Sequence, residues 1–196
     1  MAVRRSHNRA QQLLDAAARQ FGEKGFRACS VRELAGAVRM LPGSLYYHFP
    51  NKEALLVAVY AQGVKRISDA VLAAADRERD PWRRLEAACA AHLEALLGEG
   101  DYAQVVIRVR PADAPRAAAR LTALRDSYDA LFAGLVRELP LPARTDRRAL
   151  RLMLLGALNW AQTWYRPGRN SPRRIARQFV RLLGERLRPA PRASER

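Results

Sequence analysis

Glycine and proline residues divide this chain into segments that each carry the periodicity of an α-helix. In the first segment Leu14, Ala17 and Phe21 recur at spacings of three and four residues, and Gly25 follows as a terminating glycine. Clean alternation with a period of two, the mark of a half-buried strand, is not found along the sequence. The pattern predicts an all-α fold with helices at residues 7–24, 30–38, 42–49, 51–79, 81–97, 102–108, 115–139, 145–165 and 171–187.

Composition is that of an ordinary globular protein, with 49% apolar and 28% charged residues. The longest aliphatic run, Leu152–Leu158, is too short to span a bilayer, so we expect no membrane partner. The basic N-terminus has no apolar segment behind it, which favours a cytoplasmic protein over a secreted one. Cys29 and Cys89 match no disulfide or metal-ligand spacing and are expected to be reduced packing residues.

The net charge of +16 comes from 32 arginines and 3 lysines against 19 acidic residues. Such a preference for arginine over lysine is typical of a biased genome composition. The distribution of charge along the chain is therefore more informative than the total. Residues 1–52 hold 9 basic and 3 acidic side chains, and residues 166–196 hold 10 and 2. Basic ends attract polyanions, although a solvated tail is an equal alternative for residues 188–196.

The stretch PGSLYYHFPNK, residues 42–52, concentrates rings in a chain that is only 7% aromatic. Pro42 suits a first helical turn, and Pro50 ends the helix at the residue before it. The preceding helix opens with a capping box formed by Ser30 and Glu33. Two short helices joined by a tight turn predict a helix-turn-helix, in which the second helix enters the major groove of DNA.

This assignment gives the short helix an inward and an outward face. Leu45 and Phe49 are four residues apart and would face inward, while Tyr46 and Tyr47 would carry polar tips to phosphates and base edges. Lys52 and the free amides of the next helix can hold a phosphate. The alternative, in which every ring is core, is disfavoured because aromatic residues at successive positions cannot share one helix face.

The segment SVRELAGAVRMLPGSLYYHFPNKEALL, residues 30–56, resembles the DNA-binding signature of the TetR/AcrR family of transcriptional repressors. The resemblance covers about residues 10–60. It implies an all-helical homodimer with an operator-binding domain at residues 1–52 and a ligand-binding and dimerisation domain at residues 53–188. Residues 189–196 are then a basic, disordered tail. The resemblance also implies which residues contact double-stranded operator DNA: Ser30, Arg32, Gly43, Ser44, Tyr46, Tyr47, His48 and Lys52.

Two positions depart from the family pattern. Arg39 stands where the turn usually has glycine, so we expect a left-handed backbone there, at a cost of about 1 kcal/mol. Leu41 stands where a Ser or Thr usually caps the recognition helix, and leucine cannot cap. Operator sequences known for the family therefore do not transfer to this chain.

The last two predicted helices indicate a dimer. Residues 152–158 are apolar on every face, which predicts burial both in the chain's own core and against a partner. The final helix has a single apolar stripe. Two such pairs would form a four-helix bundle across a two-fold axis. The predicted dimerisation residues are Leu155, Gly156, Ile175, Phe179 and Leu182.

The resemblance also implies a small hydrophobic effector. Residues 158–179 are similar to a branch of the family that senses acyl-CoA thioesters of fatty-acid or sterol degradation, and arginines beside tryptophans suit the phosphates and the acyl chain. The candidate ligand-binding residues are Arg108, Arg110, Tyr128, Phe132, Trp160, Trp164 and Arg166. Plain core packing is the alternative for these rings. A cationic or neutral drug, as for an efflux regulator, is the rival effector, with Glu94, Asp126 and Asp129 as possible counter-charges.

Other functional classes have little support in the sequence. His7, His48 and His92 are isolated from Cys and Asp at ligand spacing, and neither a phosphate-binding loop nor a nucleophile elbow is present. We therefore expect no enzyme and no cofactor beyond the effector. A helical interaction module that binds no DNA would require the pattern of residues 42–52 to be a coincidence.

Overall fold

A computed structural model describes residues 2–98 and 100–187, with only the backbone given for residues 2–8 and 186. The predicted tail at residues 189–196 lies outside the described residues. Within the described part the chain is helical and contains no strand, which confirms the all-α prediction. The helices are α1 (Ala2–Lys24), α2 (Val31–Ala37), α3 (Pro42–His48), α4 (Lys52–Ala75), α5 (Pro81–Leu97), α6 (Asp101–Arg108), α7 (Ala118–Glu138), α8 (Arg147–Trp164) and α9 (Pro172–Leu187).

The predicted caps set most of these boundaries. Gly25 has a φ of 83° and its amide donates to the Phe21 carbonyl at 3.1 Å, which ends α1 in the manner of a terminal glycine. The Ser30 hydroxyl accepts from the Glu33 amide at 3.2 Å while the Glu33 carboxylate accepts from the Ser30 amide at 2.8 Å. Asn51 accepts from the Ala54 amide at 2.7 Å and so caps α4. Each of these local signals was predicted correctly.

Three boundaries differ clearly from the prediction. Helix α1 begins at Ala2 rather than near residue 7. Helix α4 ends at Ala75 rather than near residue 79, because Arg84 donates to the Ala75 and Glu78 carbonyls at 3.5 Å each and holds the chain in a turn. Helix α7 begins at residue 118 rather than 115, because Pro111 and Pro115 each open a separate 3₁₀ turn before it.

The chain forms two compact units. The first contains the described residues within Met1–Arg66 and Glu99–Tyr128, and the second contains those within Ile67–Gly98 and Asp129–Arg196. Helices α4 and α7 contribute residues to both units. The division differs from the predicted boundary at residue 52, because the three N-terminal helices share a unit with α6 and the first half of α7.

The core of the first unit joins α1 to α6 at short range. A Cβ atom on Gly22 would lie 3.2 Å from the Gln104 Cβ, and one on Gly63 would lie 2.7 Å from the Tyr102 carbonyl oxygen. The Tyr102 hydroxyl donates to Asp15 at 2.7 Å. Small residues therefore let α6 approach its neighbours closely. The hydrophobic core of this unit contains the fully buried side chains of Leu13, Phe21, Leu34, Leu45, Leu55, Tyr60, Val105 and Leu121.

The second unit packs α5 against α8 and α9. Its core contains Trp82, Leu85, Phe132, Leu158 and Ile175, together with the free thiol of Cys89. Burial raises the pKa of this thiol, so it stays protonated. Cys29 is also buried and free, in the first unit, so both cysteines are packing residues as predicted. Among the described residues, no helix has the combination of length and apolar content that a membrane span requires.

His92 on α5 is a polar residue inside this apolar core, with an exposed fraction of 5%. Its ring lies edge-on to Phe132, with 5.8 Å between centroids. Burial lowers the pKa of His92 from 6.5 to about 4, and a hydrogen bond with Asn159 only partly opposes this effect. The imidazole is therefore neutral at physiological pH.

The lowered pKa predicts that the chain loses stability in mild acid. Between pH 6.5 and about 4 the unfolded chain binds more protons at His92 than the folded chain does. The free energy of unfolding should consequently fall by about 2 kcal/mol from pH 7.5 to pH 5 through this residue. Urea unfolding at both pH values measures this decrease. In His92→Gln the side chain cannot titrate, so the decrease in unfolding free energy due to His92 should be absent. Equal pH dependence in the two proteins would contradict the assignment.

Candidate nucleic-acid interface

Helix α3 has the two faces that its sequence predicts. Leu45 is fully buried, and Phe49, just past the helix, is half-buried against the same core. Tyr46 and Tyr47 lie on the opposite side, with exposed fractions of 51% and 84%. Because α3 spans only residues 42–48, the single buried leucine with Phe49 anchors the helix, and the outer surface remains available to DNA.

The turn before α3 has the unusual backbone expected from its sequence. Arg39 has a φ of 55°, the left-handed conformation that glycine adopts at lower cost. The Met40 amide donates to the Ala35 carbonyl at 2.9 Å and so closes α2. Leu41 is the N-cap residue of α3 and its side chain makes no capping hydrogen bond. Both departures from the family pattern are therefore accommodated within a regular helix-turn-helix.

The predicted DNA-contacting residues lie in one unit and differ in their surroundings. Ser30 is committed to capping α2, whereas Arg32 is exposed on that helix. Gly43 and Ser44 are exposed in the first turn of α3, and a Cβ atom on Gly43 would meet nothing within 4 Å. His48 is half-buried with its ring 5.3 Å from that of Tyr47. Their contacts with DNA stay predictions.

The structure shows a structural role for Lys52 in addition to its predicted phosphate contact, which stays a prediction. Its ammonium group donates to the Phe26 carbonyl at 3.0 Å and to the Cys29 carbonyl at 2.8 Å. It also lies 4.3 Å from the centroid of the Phe26 ring. Two of its three donors thus tie the start of α4 to the loop between α1 and α2, and at most one remains for a phosphate.

Replacing Lys52 with alanine should therefore destabilise the fold as well as weaken DNA binding. Two charge-assisted hydrogen bonds would be lost, which predicts a decrease in the free energy of unfolding of about 1.5–3 kcal/mol. Urea unfolding measures the change. Arg19→Ala removes an exposed positive charge from α1 and should alter stability by less than about 0.5 kcal/mol. A stable Lys52→Ala protein would show that the lysine serves DNA alone.

Tyr47→Ala should weaken DNA binding without destabilising the fold. The side chain is 84% exposed, so its removal should leave the melting temperature unchanged. Loss of one phosphate hydrogen bond per protomer should weaken binding about tenfold. The loss should be the same for all duplexes, because phosphate contacts carry no sequence information. Fluorescence anisotropy with several unrelated duplexes measures this. Tyr47→Phe separates the hydroxyl from the ring. A loss confined to one sequence would instead indicate base recognition.

The predicted effector-binding residues do not form one enclosed group. In the first unit, Arg108 donates to the Gly22 carbonyl at 2.9 Å, and Arg110 lies 3.7 Å from the Asp113 carboxylate. Tyr128 in the same unit is half-buried. Each of the two arginines thus interacts with a nearby group of the protein, and their contact with an effector stays a prediction.

In the second unit, Phe132 is fully buried, as a pocket-lining or core ring would be. Trp160 and Trp164 are 66% and 42% exposed, so the predicted placement of their indoles around an interior acyl chain is wrong. Arg166 is also exposed and donates to the adjacent Tyr165 carbonyl at 2.9 Å. The tryptophans belong instead to the outer surface of α8.

Helix α8 has one buried and one exposed apolar stripe. Leu155 and, on α9, Ile175 are buried in the unit's own core, so their predicted partner-facing position is wrong. Gly156 is exposed with open space around it, and Leu182 is 58% exposed. Phe179 is half-buried with its ring 6.5 Å from that of Trp164. The apolar surface of α8, defined here as its exposed stripe, consists of Leu152, Met153, Gly156, Trp160 and Trp164.

A groove on the second unit was not predicted. It has a volume of about 560 Å³ and runs between α5 and α9, with Ala87 and Ala90 among its lining residues. Arg173 pairs with Glu94 at 2.7 Å across it. A second pair joins Arg177 to Glu86 at 3.2 Å. The alanines that recur along α5 could have indicated a groove on this helix. The ion pairs between α5 and α9 could not be predicted, because they depend on tertiary structure.

The comparisons with known proteins agree with this architecture. Residues 13–59 match the family described as bacterial regulatory proteins, tetR family, and residues 78–187 match the tetracyclin repressor-like C-terminal domain. The HTH-type transcriptional repressor KstR2 of Mycobacterium tuberculosis is 35% identical over 101 residues, 52% of this chain and 50% of that protein. The chain therefore spans about half the length of the curated relatives it matches.

Two solved structures extend the likeness to nearly the whole chain. The superantigen PfiT matches with a TM-score of 0.80 and 27% identity, over 93% of this chain and 97% of PfiT. AibR, solved with isovaleryl coenzyme A and operator DNA, matches with a TM-score of 0.74 and 25% identity, over 89% and 97% of the two chains. With a helix-turn-helix in its first unit and matches that cover both halves of its sequence, the chain belongs to the TetR family of DNA-binding transcriptional regulators.

Proposed function

We propose that this chain is a homodimeric repressor that binds operator DNA through α3 and is released by an acyl-CoA thioester. It acts in the cytoplasm, has no catalytic activity and uses no cofactor beyond its effector. The observation that carries the DNA-binding part is the outward face of α3, where Tyr46 and Tyr47 are exposed beside a buried anchor at Leu45. The basic balance of residues 1–52 supports attraction to the phosphate backbone.

The apolar surface of α8 supports the dimer. It includes two tryptophans and two long aliphatic side chains that the chain itself leaves exposed. Contiguous exposed apolar residues of this kind mark protein interaction sites. A two-fold dimer also meets the needs of DNA binding, because two recognition helices must reach half-sites about 34–36 Å apart.

The surroundings of the three candidate counter-charges favour an anionic effector over a cationic one. A cation site requires buried acidic groups that face aromatic rings. Glu94 is paired with Arg173 at 2.7 Å, Asp129 is paired with Arg151 at 3.0 Å, and Asp126 is exposed. None of the three candidate counter-charges is thus available inside the protein. AibR, which binds isovaleryl coenzyme A in its solved structure, supports a thioester of coenzyme A.

The contact between α1 and α6 gives a physical route for release from DNA. Arg108 of α6 binds the Gly22 carbonyl of α1, and Tyr102 of α6 binds Asp15 of α1. A movement of α6 therefore moves the DNA-binding helices with it. A ligand shifts such an equilibrium only by its differential affinity, and a coupling of about 1–3 kcal/mol changes DNA affinity roughly 5–150-fold.

Fluorescence anisotropy tests this function with a labelled duplex from the region upstream of the chain's own gene. Acyl-CoAs of increasing length are added, with free CoA and the free acids as matched controls. We expect one acyl-CoA to weaken DNA binding 5–150-fold, and the duplex to weaken binding of that acyl-CoA by the same factor in calorimetry. The effector assignment fails if no acyl-CoA binds tighter than about 100 µM, roughly −5.5 kcal/mol, or if the free acid binds equally well.

A further inference from the structure

Leu41 occupies the N-terminus of the recognition helix and is 77% exposed. At an N-cap a Ser, Thr, Asp or Asn side chain would accept a hydrogen bond from the first turn and stabilise the helix. The leucine side chain makes no such bond. Because it is exposed, it also contributes little to the buried core. Within the first unit, therefore, neither capping nor core packing accounts for a leucine at this position.

The first turn of α3 offers almost no hydrogen-bonding side chain to DNA. Leu41, Pro42, Gly43 and Ser44 are all exposed, and of these four only Ser44 has a polar side chain. In a helix-turn-helix, the N-terminal residues of the recognition helix contact the base edges. Leu41 has the longest apolar side chain of this turn, and it is 77% exposed.

The apolar group that DNA presents in the major groove is the C5-methyl of thymine, and aliphatic side chains recognise it by direct contact. We propose that Leu41 is a specificity-determining residue that packs on a thymine methyl in each operator half-site, with the exposed ring of Pro42 extending the apolar contact. This inference rests on α3 as the recognition helix. Leu41 would thus give a preference for thymine, whereas a Ser or Thr at the same position would favour a polar contact.

Selection from a library of random duplexes tests the inference and does not require a defined operator sequence. The wild type should enrich sequences with thymine at one fixed position in each half-site. Leu41→Ser should lose that enrichment while keeping the preferences at other positions. Because serine restores a capping side chain, the variant should melt no lower than the wild type, so lost selectivity would not reflect unfolding.

Replacement of the selected thymine with deoxyuridine then isolates the methyl group, because base pairing is unchanged. We expect the wild type to bind the uracil duplex about fourfold more weakly for each methyl removed, the factor that follows from burial of one methyl-sized group. Leu41→Ser should bind both duplexes equally. Tyr47→Ala provides the matched control, since it should bind both duplexes more weakly but retain the fourfold difference.

Two results would overturn the inference. One is equal binding of the thymine and uracil duplexes by the wild type, and the other is an unchanged thymine preference in Leu41→Ser. If the wild type selects no sequence although it binds DNA, Leu41 recognises no base and the inference also fails. If the wild type binds no duplex at all, the proposed function fails first, so the two failures are distinguishable.

Discussion

Leu45→Ala should lower the free energy of unfolding by about 3–5 kcal/mol, a large fraction of the 5–15 kcal/mol typical of a whole domain. Leu45 is fully buried and is the one residue of α3 that reaches the core completely. Its removal leaves a cavity that a seven-residue helix cannot fill by moving, because Phe49 also holds the end of α3 in the core. DNA binding should be lost together with stability.

Urea unfolding measures this effect, and Leu41→Ala is the matched control. Both substitutions remove the same atoms from the same short helix region, but Leu41 is 77% exposed. Its replacement should change the free energy of unfolding by less than about 0.5 kcal/mol. Equal destabilisation by the two substitutions would show that α3 does not present the faces described here.

Trp160→Glu should convert the dimer into monomers and weaken operator binding by more than about a hundredfold. The indole is 66% exposed at the centre of the apolar surface of α8. If this surface is the dimer interface, a carboxylate there would be buried without a partner at a cost of several kcal/mol. A monomer contacts a single half-site and loses the second set of phosphate and base contacts.

Sedimentation velocity at micromolar concentration measures the assembly, and anisotropy on the same samples measures the operator affinity. Gln162→Glu introduces the same charge at an exposed position of α8 outside the apolar surface, so it should remain dimeric. Dimeric Trp160→Glu with full operator affinity would place the interface elsewhere. Variants of Leu155 are unsuitable for this test, because that side chain lies in the unit's own core.

Local signals explain why much of the fold could be predicted from sequence. Gly25, the Ser30–Glu33 box and Asn51 each act within four residues, so the chain itself specifies where α1, α2 and α4 begin or end. The faces of α3 followed from the spacing of Leu45 and Phe49. The left-handed conformation of Arg39 followed from its position in the turn.

Interactions between distant segments could not be predicted in the same way. Lys52 binds carbonyls 23 and 26 residues away along the chain, and sequence spacing does not indicate such a contact. In α8, residues 152–158 are apolar without interruption, so no periodicity indicates which side is buried. The buried stripe is set by packing against α5, and the tryptophans therefore lie on the opposite surface.

Hydroxyl-radical footprinting of the chain on its selected operator tests whether a dimer binds DNA through α3, because it locates both recognition helices on the DNA at once. We expect two protected half-sites related by a two-fold axis, with centres one helical turn or a multiple of it apart, about 34–36 Å per turn. Tyr47→Ala should weaken protection equally in both. A single protected segment, or protection that Tyr47→Ala leaves unchanged, would contradict operator binding by a dimer through α3.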